Sequence, residues 1–466
     1  MQKIFNNCYK MDNLCYKKFN LTEDILMEHA ANSMQEYIRK NFDKAKILIV
    51  AGSGNNGADG ITLARLLQND YEVELLLPFG AKSDMAKLQL TRSRAVGVKE
   101  VEEIKNADIV VDCLFGAGLN RELNQESIEI IEQLNSLEAF KIACDIPSGI
   151  SAKGNPSPIA FYADITITMG ALKEALYADN AKDFVGEVIV ANLGVSRELY
   201  ESEDTKTFLL EKSDFNPPIR KNKNCHKGSF GHVAIFSGQK SGAAEISAIA
   251  ASRFGAGLTT LIYHEKITPP PYIMTSTTLP KNTTAIAIGM GLGNFFEDDA
   301  LQSVIDSNTP IVIDADALYK ANLLEVIKQN REVVITPHPK EFSAVLKILN
   351  GQDIDIETIQ KNRLKLAREF SQQYPKCTLL LKGANPIIAK NGICYINPLG
   401  DKVLAKGGSG DVLSGLIASL LAQGYSQLDA TINGSLALAL ASKAYSKPNY
   451  FMLPTDIIDE LANIVY

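Results

Sequence analysis

From Lys46 onward, short and mostly apolar runs alternate with longer stretches in which apolar positions recur every three or four residues. The runs Ile47–Ala51, Val73–Leu77, Ile109–Cys113, Ile142–Asp145 and Ile165–Thr168 read as strands. Segments 60–69, 83–95 and 125–137 between them have helical spacing. Strands separated by helices predict parallel βαβ units, with ligands at the carboxyl ends of the strands. The alternation lapses between about Glu198 and Asn224, a stretch rich in charge, Asn and Pro that reads as a linker. It resumes with strand 233–236, helix 243–254, strands 285–288, 311–313, 333–335 and 378–381, and helix 412–421. The halves do not repeat one another, so the pattern predicts two α/β domains.

Composition narrows the class without naming a chemistry. With 46% hydrophobic and 22% charged residues among 466, the chain has the material for two cores and is not extensively disordered. A net charge of −7 gives no footprint for nucleic acid or an anionic membrane surface. No apolar run approaches the ~18 residues of a membrane span. The N-terminal sequence MQKIFNNCYKMDNLCYKK lacks the apolar core and cleavage site of a secretory signal. Seven scattered cysteines, none in a CxxC pair, predict neither a disulfide framework nor a thiolate zinc site, and a reducing cytoplasm is the expected location.

Chemistry enters with Gly52-Ser53-Gly54-Asn55-Asn56-Gly57-Ala58-Asp59-Gly60, placed between strand 47–51 and helix 60–69. Glycines let backbone approach a ligand, and a helix N-terminus offers free N–H groups to an anion. Residues 52–57 satisfy GxGxxG, but Glu72 and Glu74 begin the next strand, where a ribose-binding acid would end it. Asp112 and Asp145 stand at two further strand ends, in Asp112-Cys113-Leu114-Phe115-Gly116-Ala117-Gly118 and Asp145-Ile146-Pro147-Ser148-Gly149. In a parallel sheet Asp59, Asp112 and Asp145 converge on one edge. Each could simply cap its turn. Together, oxygen donors without His or thiolate suit a hard cation rather than zinc.

The segments NNGADG (55–60), DCLFGAG (112–118) and DIPSG (145–149) resemble the NAD(P)H-hydrate epimerase domain, over about residues 1–205. That resemblance implies a Rossmann-like three-layer α/β/α domain with a mostly parallel sheet. It implies that Asn55, Asn56, Gly57, Ala58 and Asp59, with Gly116, Ala117, Gly118, Leu119, Asn120, Arg121 and Glu122, cradle the hydrated dinucleotide while Asp145 contacts it. It also implies a potassium ion on Asn56, Asp112 and Ser148, and Lys173 matches a lysine of the family. Glu28-His29-Ala30-Ala31 departs from the usual Glu-Asn-Ala-Gly. Epimerisation needs an acid/base group, and Asp145 is the candidate.

In the second half, Lys406-Gly407-Gly408-Ser409-Gly410-Asp411 leads into helix 412–421. Successive glycines before a helix form an anion hole suited to a transferring phosphoryl group, and the Asp at its mouth can take a proton from a hydroxyl. Asp314, in Asp314-Ala315-Asp316-Ala317-Leu318, is a candidate for holding water or Mg²⁺. With Gly289-Met290-Gly291-Leu292-Gly293, Thr336-Pro337-His338-Pro339-Lys340-Glu341 and Lys382-Gly383-Ala384-Asn385-Pro386, these motifs resemble the ribokinase-like NAD(P)H-hydrate dehydratase over about 215–466. The resemblance implies a ribokinase-like α/β/α fold in which Ala243, Gly291, His338 and Asp411 contact the hydrate. Lys382, Gly383, Ala384, Asn385, Pro386 and Gly410 would contact the adenine nucleotide, with Thr more usual at Pro386. Mg²⁺ and ADP, or ATP, follow as cofactor and co-substrate, while a Walker A motif is absent.

The expected function is bifunctional repair of hydrated NAD(P)H: epimerisation of R and S hydrates, then nucleotide-dependent dehydration of the S form. Its expected partners are those small molecules alone, with homo-oligomer formation left open. A ribokinase-like small-molecule kinase with an accessory ligand-binding domain, and a non-enzymatic N-terminal scaffold, stand as alternatives.

Overall fold

The continuous apolar runs become the centres of two parallel sheets. A computed structural model describes residues 1–118, 122–293, 298–329 and 331–464. The chain divides into one unit of Lys3–Thr207 and another of Phe208–Tyr466 together with Met1–Gln2.

The N-terminal unit holds strands β1 (Lys46–Ala51), β2 (Glu72–Leu76), β3 (Lys99–Val101), β4 (Ile109–Cys113), β5 (Phe140–Cys144), β6 (Ile165–Met169) and β7 (Glu187–Ala191). They form one sheet in the order β3-β2-β1-β4-β5-β6-β7, every pairing parallel. Alternate residues of β1 serve two cores. Ile47, Ile49 and Ala51 pack with Ala58, Ile61 and Met34 on one face, and Leu48 and Val50 pack with Ile131 and Leu134 on the other. That double burial explains why the strands read as unbroken apolar runs. The sequence order reverses between β1 and β4, the position at which open parallel sheets bind ligands.

The C-terminal unit holds β8 (His232–Ser237), β9 (Leu258–Tyr263), β10 (Met274–Ser276), β11 (Ala285–Ile288), β12 (Ile311–Ile313), β13 (Val333–Ile335), β14 (Cys377–Leu381), β15 (Ile387–Lys390) and β16 (Ile393–Ile396). Their order is β10-β9-β8-β11-β12-β13-β14-β15-β16, parallel from β10 to β14 and antiparallel thereafter. Helices Ser241–Arg253, Ser409–Ala422 and Gln427–Ala444 bury one face of the sheet.

Four sequence expectations require correction. The helix after β1 starts at Asn55 rather than residue 60, and the glycine-motif helix starts at Ser409 rather than 412. Polar and glycine residues of low helix propensity occupy both first turns, so apolar spacing alone dates the helices late. Asp145 lies outside β5, with φ +69. The stretch read as a linker is largely structured: Tyr200, Leu210 and Phe215 are buried, and the longest exposed run is 219–229.

Glycine is required where β1 and β4 deliver their loops side by side. A Cβ at Gly52 would lie 1.9 Å from the Leu114 carbonyl oxygen, and one at Gly57 would lie 1.8 Å from that of Gly52. Gly52→Ala is therefore expected to destabilise the N-terminal domain by about 1–3 kcal/mol. A thermal-unfolding midpoint equal to that of the parent chain would contradict this.

Candidate active sites

At the carboxyl edge of the first sheet lies a cavity of about 700 Å³. Asn55, Asn56 and Asp59 reach it from the first turns of helix Asn55–Leu67, Gly116–Gly118 from the loop after β4, and Asp145 from the end of β5. Gly57 and Ala58 are buried in the same helix, and Glu122 is exposed and not among the lining residues. Leu119, Asn120 and Arg121 lie outside the described residues. Asp12, Tyr200, Cys8 and Tyr9 also line the cavity, although no motif singled them out. Asp12 and Tyr200 are joined by a 2.6 Å hydrogen bond across 188 residues, in stretches without glycine punctuation.

Asp145 is held from several sides. Lys173 Nζ donates to Oδ1 at 2.6 Å, Met169 N donates to the same oxygen at 3.1 Å, and Ala117 N donates to Oδ2 at 3.2 Å. These bonds sustain the positive φ, a conformation uncommon outside glycine. Burial opposes its ionisation, but the Lys173 ammonium holds the carboxyl below the ordinary range. Asp59 is in the opposite condition. Among the described residues nothing donates a hydrogen bond to it, and burial, then Asp145, Glu23 and Asp12, push its carboxyl well upward. Two carboxyls of one cavity are thus displaced in opposite directions from the ordinary carboxylate range, the arrangement an acid/base pair needs.

Beneath the cavity, Asp112 and Ser148 are fully buried and bonded to each other. Ser148 Oγ donates to Asp112 Oδ1 at 2.6 Å, and Ser148 N donates to Oδ2 at 2.7 Å. Asn56 Oδ1 faces Gly116. Burial pushes Asp112 up to about 6, because three hydrogen bonds but no neighbouring ammonium or guanidinium offset its charge.

In the second unit the loops after β8, β11, β12, β13 and β14 meet the glycine-led helix. Gly291, at φ +63, packs where a Cβ would lie 2.4 Å from the Lys240 carbonyl oxygen, which brings it beside the turn leading to Ala243. Asp314 accepts from Lys382 Nζ at 2.8 Å, from Ala315 N at 2.8 Å and from Ser414 Oγ at 2.7 Å. Both of its carboxylate oxygens thus accept hydrogen bonds within the protein. Burial works against the charge of Lys382, yet Asp314 and then Glu341 hold it above the usual lysine range. Gly410 approaches the same ammonium, so a Cβ there would lie 3.6 Å from it.

Asp411 stands in the first turn, where backbone N–H groups have no intrahelical acceptor. Burial, then the Asp314 carboxylate, push it up to about 7, with Lys382 opposing. A carboxyl near 7 is suited to proton transfer at neutral pH. His338 caps helix Pro339–Asn350. Its Nδ1 accepts from Lys340 N at 3.1 Å and Glu341 N at 3.3 Å, and its Nε2 lies 3.0 Å from Glu341 Oε1. Gly383 and Ala384 are exposed and Asn385 is buried, while Pro386 enters β15.

Two family models match separate parts of the chain. Residues 23–175 match the family described as YjeF-related protein N-terminus, and 233–463 match NAD(P)H-hydrate dehydratase. The bifunctional NAD(P)H-hydrate repair enzyme Nnr of Helicobacter pylori is 42% identical over 476 aligned residues, covering 100% of both chains. The chain belongs to the bifunctional NAD(P)H-hydrate repair enzyme family. The Nnr enzyme of Dictyoglomus turgidum is 33% identical over 92% of this chain and 91% of its own. Among solved structures, the ADP/ATP-dependent NAD(P)H-hydrate dehydratase of Bacillus subtilis, co-crystallised with ATP/Mg²⁺, is 27% identical, with a TM-score of 0.46 over 54% of this chain and 94% of that one. Among the described residues of this repair-enzyme chain, no helix is long and apolar enough to cross a membrane.

The Lys173–Asp145 pair fixes a pH response. Asp145, depressed when folded, contributes stability above its unfolded value of about 3.9 that is lost as pH falls through the folded value. Lys173→Met is expected to cost about 3–5 kcal/mol by leaving a buried carboxylate unpaired. It should also reverse the Asp145 contribution, because burial then raises its carboxyl and stability falls with rising pH. Denaturant midpoints measured between pH 4 and 7 check both; an unchanged midpoint and slope would contradict the pairing.

Proposed function

We propose that the N-terminal domain interconverts the R and S hydrates of NADH and NADPH, and that the C-terminal domain returns the S hydrate to NAD(P)H with an adenine nucleotide as phosphoryl donor. The observation that carries this reading is the pairing of backbone N–H donors with a poised carboxyl at each sheet edge, in a chain that matches the repair enzymes over its whole length.

In a hydrated dihydronicotinamide the hydroxyl stands on the carbon beside the ring nitrogen. Inverting that carbon requires one proton to be delivered and one withdrawn. Asp59, neutral, protonates the hydroxyl; the C–O bond breaks as the nitrogen lone pair closes a C=N⁺ bond. Asp145, ionised, faces the cation and takes a proton from the water that adds on the opposite face. Proton return to Asp59 resets the pair. Asn55–Asp59 and Gly116–Glu122 hold the dinucleotide around this point.

Asn56, Asp112 and Ser148 would hold a potassium ion below the cavity. Their oxygen donors suit it, and among the described residues the buried Asp112 charge has no cationic partner. When bound, the ion supplies a fixed positive charge there. Potassium chloride is expected to raise the unfolding midpoint of the N-terminal domain above that in tetramethylammonium chloride of equal strength, and Asp112→Asn to abolish the difference. Equal midpoints in the parent chain would contradict the site.

In the C-terminal domain, Asp411 withdraws the proton of the hydrate hydroxyl while the N–H groups of Gly408–Gly410 and the Lys382 ammonium face the phosphoryl passing to it. Phosphate then departs, carrying the C–O bonding pair, and loss of a proton from the adjacent carbon restores the ring double bond. Ala243, Gly291 and His338 border the hydrate, and Lys382–Pro386 with Gly410 the nucleotide, for which ADP is the proposed donor. Mg²⁺ would enter with the nucleotide phosphates, with Asp314 beside them as the candidate to hold it or its water. The proposed place of action is the cytoplasm.

Asp411→Asn is expected to slow recovery of reduced-nicotinamide absorbance by about 10²–10⁴-fold while R and S hydrates still interconvert. Asp59→Asn and Asp145→Asn should do the converse, with recovery halting once the S form is spent. An Asp411→Asn chain that dehydrates at the parent rate, or Asp59→Asn and Asp145→Asn chains that epimerise normally, would refute these roles.

A further inference from the structure

Arg363 is a basic residue that no motif singled out. It occupies the first position of helix Arg363–Gln373, where a cation opposes the helix dipole, and it is only 4% exposed. Helix stability therefore does not explain its presence there. Its guanidinium instead reaches the loop after β14. Nη1 donates to the Lys382 carbonyl at 3.1 Å, and Nη2 donates to the carbonyls of Leu381 at 3.1 Å and Asn385 at 3.4 Å. One buried side chain thus gathers three carbonyl oxygens of a single loop.

We propose that Arg363 is a positioning residue for nucleotide binding, which turns the Lys382–Asn385 loop so that the Gly383 N–H faces an anionic phosphate. This rests on the reading that residues 382–386 contact the nucleotide. A trans peptide directs its C=O and N–H to opposite sides. With the Leu381 carbonyl drawn to Arg363, the Lys382 N–H points away from it and donates to the Pro337 carbonyl at 2.8 Å, which ties down one end of the loop. With the Lys382 carbonyl drawn to Arg363, the Gly383 N–H is directed to the exposed side of the loop. The Lys382 ammonium, anchored on Asp314 beside Gly410, marks where negative charge would lie. A cation bonded to the carbonyl polarises the same peptide group, so its N–H becomes a stronger donor. Arg363 itself touches no ligand and acts through the loop. Lysine could keep the charge but not the fork that spans three carbonyls.

The test is steady-state kinetics of the full chain with the S hydrate and ADP or ATP, varying each substrate in turn. Arg363→Met is expected to raise the nucleotide KM at least about tenfold, the scale of losing charged hydrogen bonds, with the hydrate KM changed less than about twofold. Arg363→Lys should recover only part of the loss, and Gly383→Pro, which removes the N–H, should raise the nucleotide KM alone. Lys382→Gln separates the two claims. If it raises the nucleotide KM while Arg363→Met and Arg363→Lys leave it unchanged, the positioning role fails and the nucleotide reading stands. If none of the four variants moves the nucleotide KM, the nucleotide reading itself fails. Should Arg363→Met not fold, Arg363→Lys and Gly383→Pro decide. Equal loss for both substrates in Arg363→Lys would overturn the proposal in favour of a general structural role.

Discussion

A buried lysine–aspartate ion pair organises each domain's site. Lys173–Asp145 at 2.6 Å and Lys382–Asp314 at 2.8 Å both stand at carboxyl ends of parallel strands. Removing two charges from water is costly, and the pair is retained only if additional hydrogen bonds complete it. In both cases the completing donors come from the elements around the site: the Ala117 loop and the end of β6 at Met169 for Asp145, Ala315 and the helical Ser414 for Asp314. The ion pairs therefore do more than offset their own burial. They fix loop backbone at the edge where ligands bind, and they leave a second carboxyl, Asp59 or Asp411, in a setting that raises its proton affinity.

This arrangement also explains how a chain of net charge −7 can address polyanionic dinucleotides. Attraction is supplied locally, by helix N-termini, glycine amides and lysines held near carboxylates, rather than by the overall field. Where the loops after β1 and β4 run together, backbone replaces side chain because no Cβ fits.

Much of the fold was legible because parallel strands covered on both faces are written as apolar runs, and β4, β11, β12 and β13 begin and end where those runs do. Other elements left little signal. Helix Gln427–Ala444 is buried on nearly every side and has no polar stripe to set its period, and the edge strand Lys99–Val101 is short and charged. Motifs placed Asn56, Asp59, Asp112, Asp145 and Asp411, since glycine-rich strand ends announce themselves locally. Pairings such as Asp12 with Tyr200, Lys382 with Asp314 and Arg363 with the 381–385 carbonyls were not legible. They depend on the order in which strands assemble, which local spacing does not state. The sequence singled out Asp145 as the acid/base candidate, but only the structure shows it anchored by Lys173 and Asp59 shifted in the opposite direction.

Two complementary sites on one chain are tested most directly by supplying pure R hydrate with ADP or ATP and following the absorbance of reduced nicotinamide. Full recovery from the R form is predicted, because epimerisation must precede dehydration. Absence of recovery, in a preparation that converts the S hydrate completely, would contradict it.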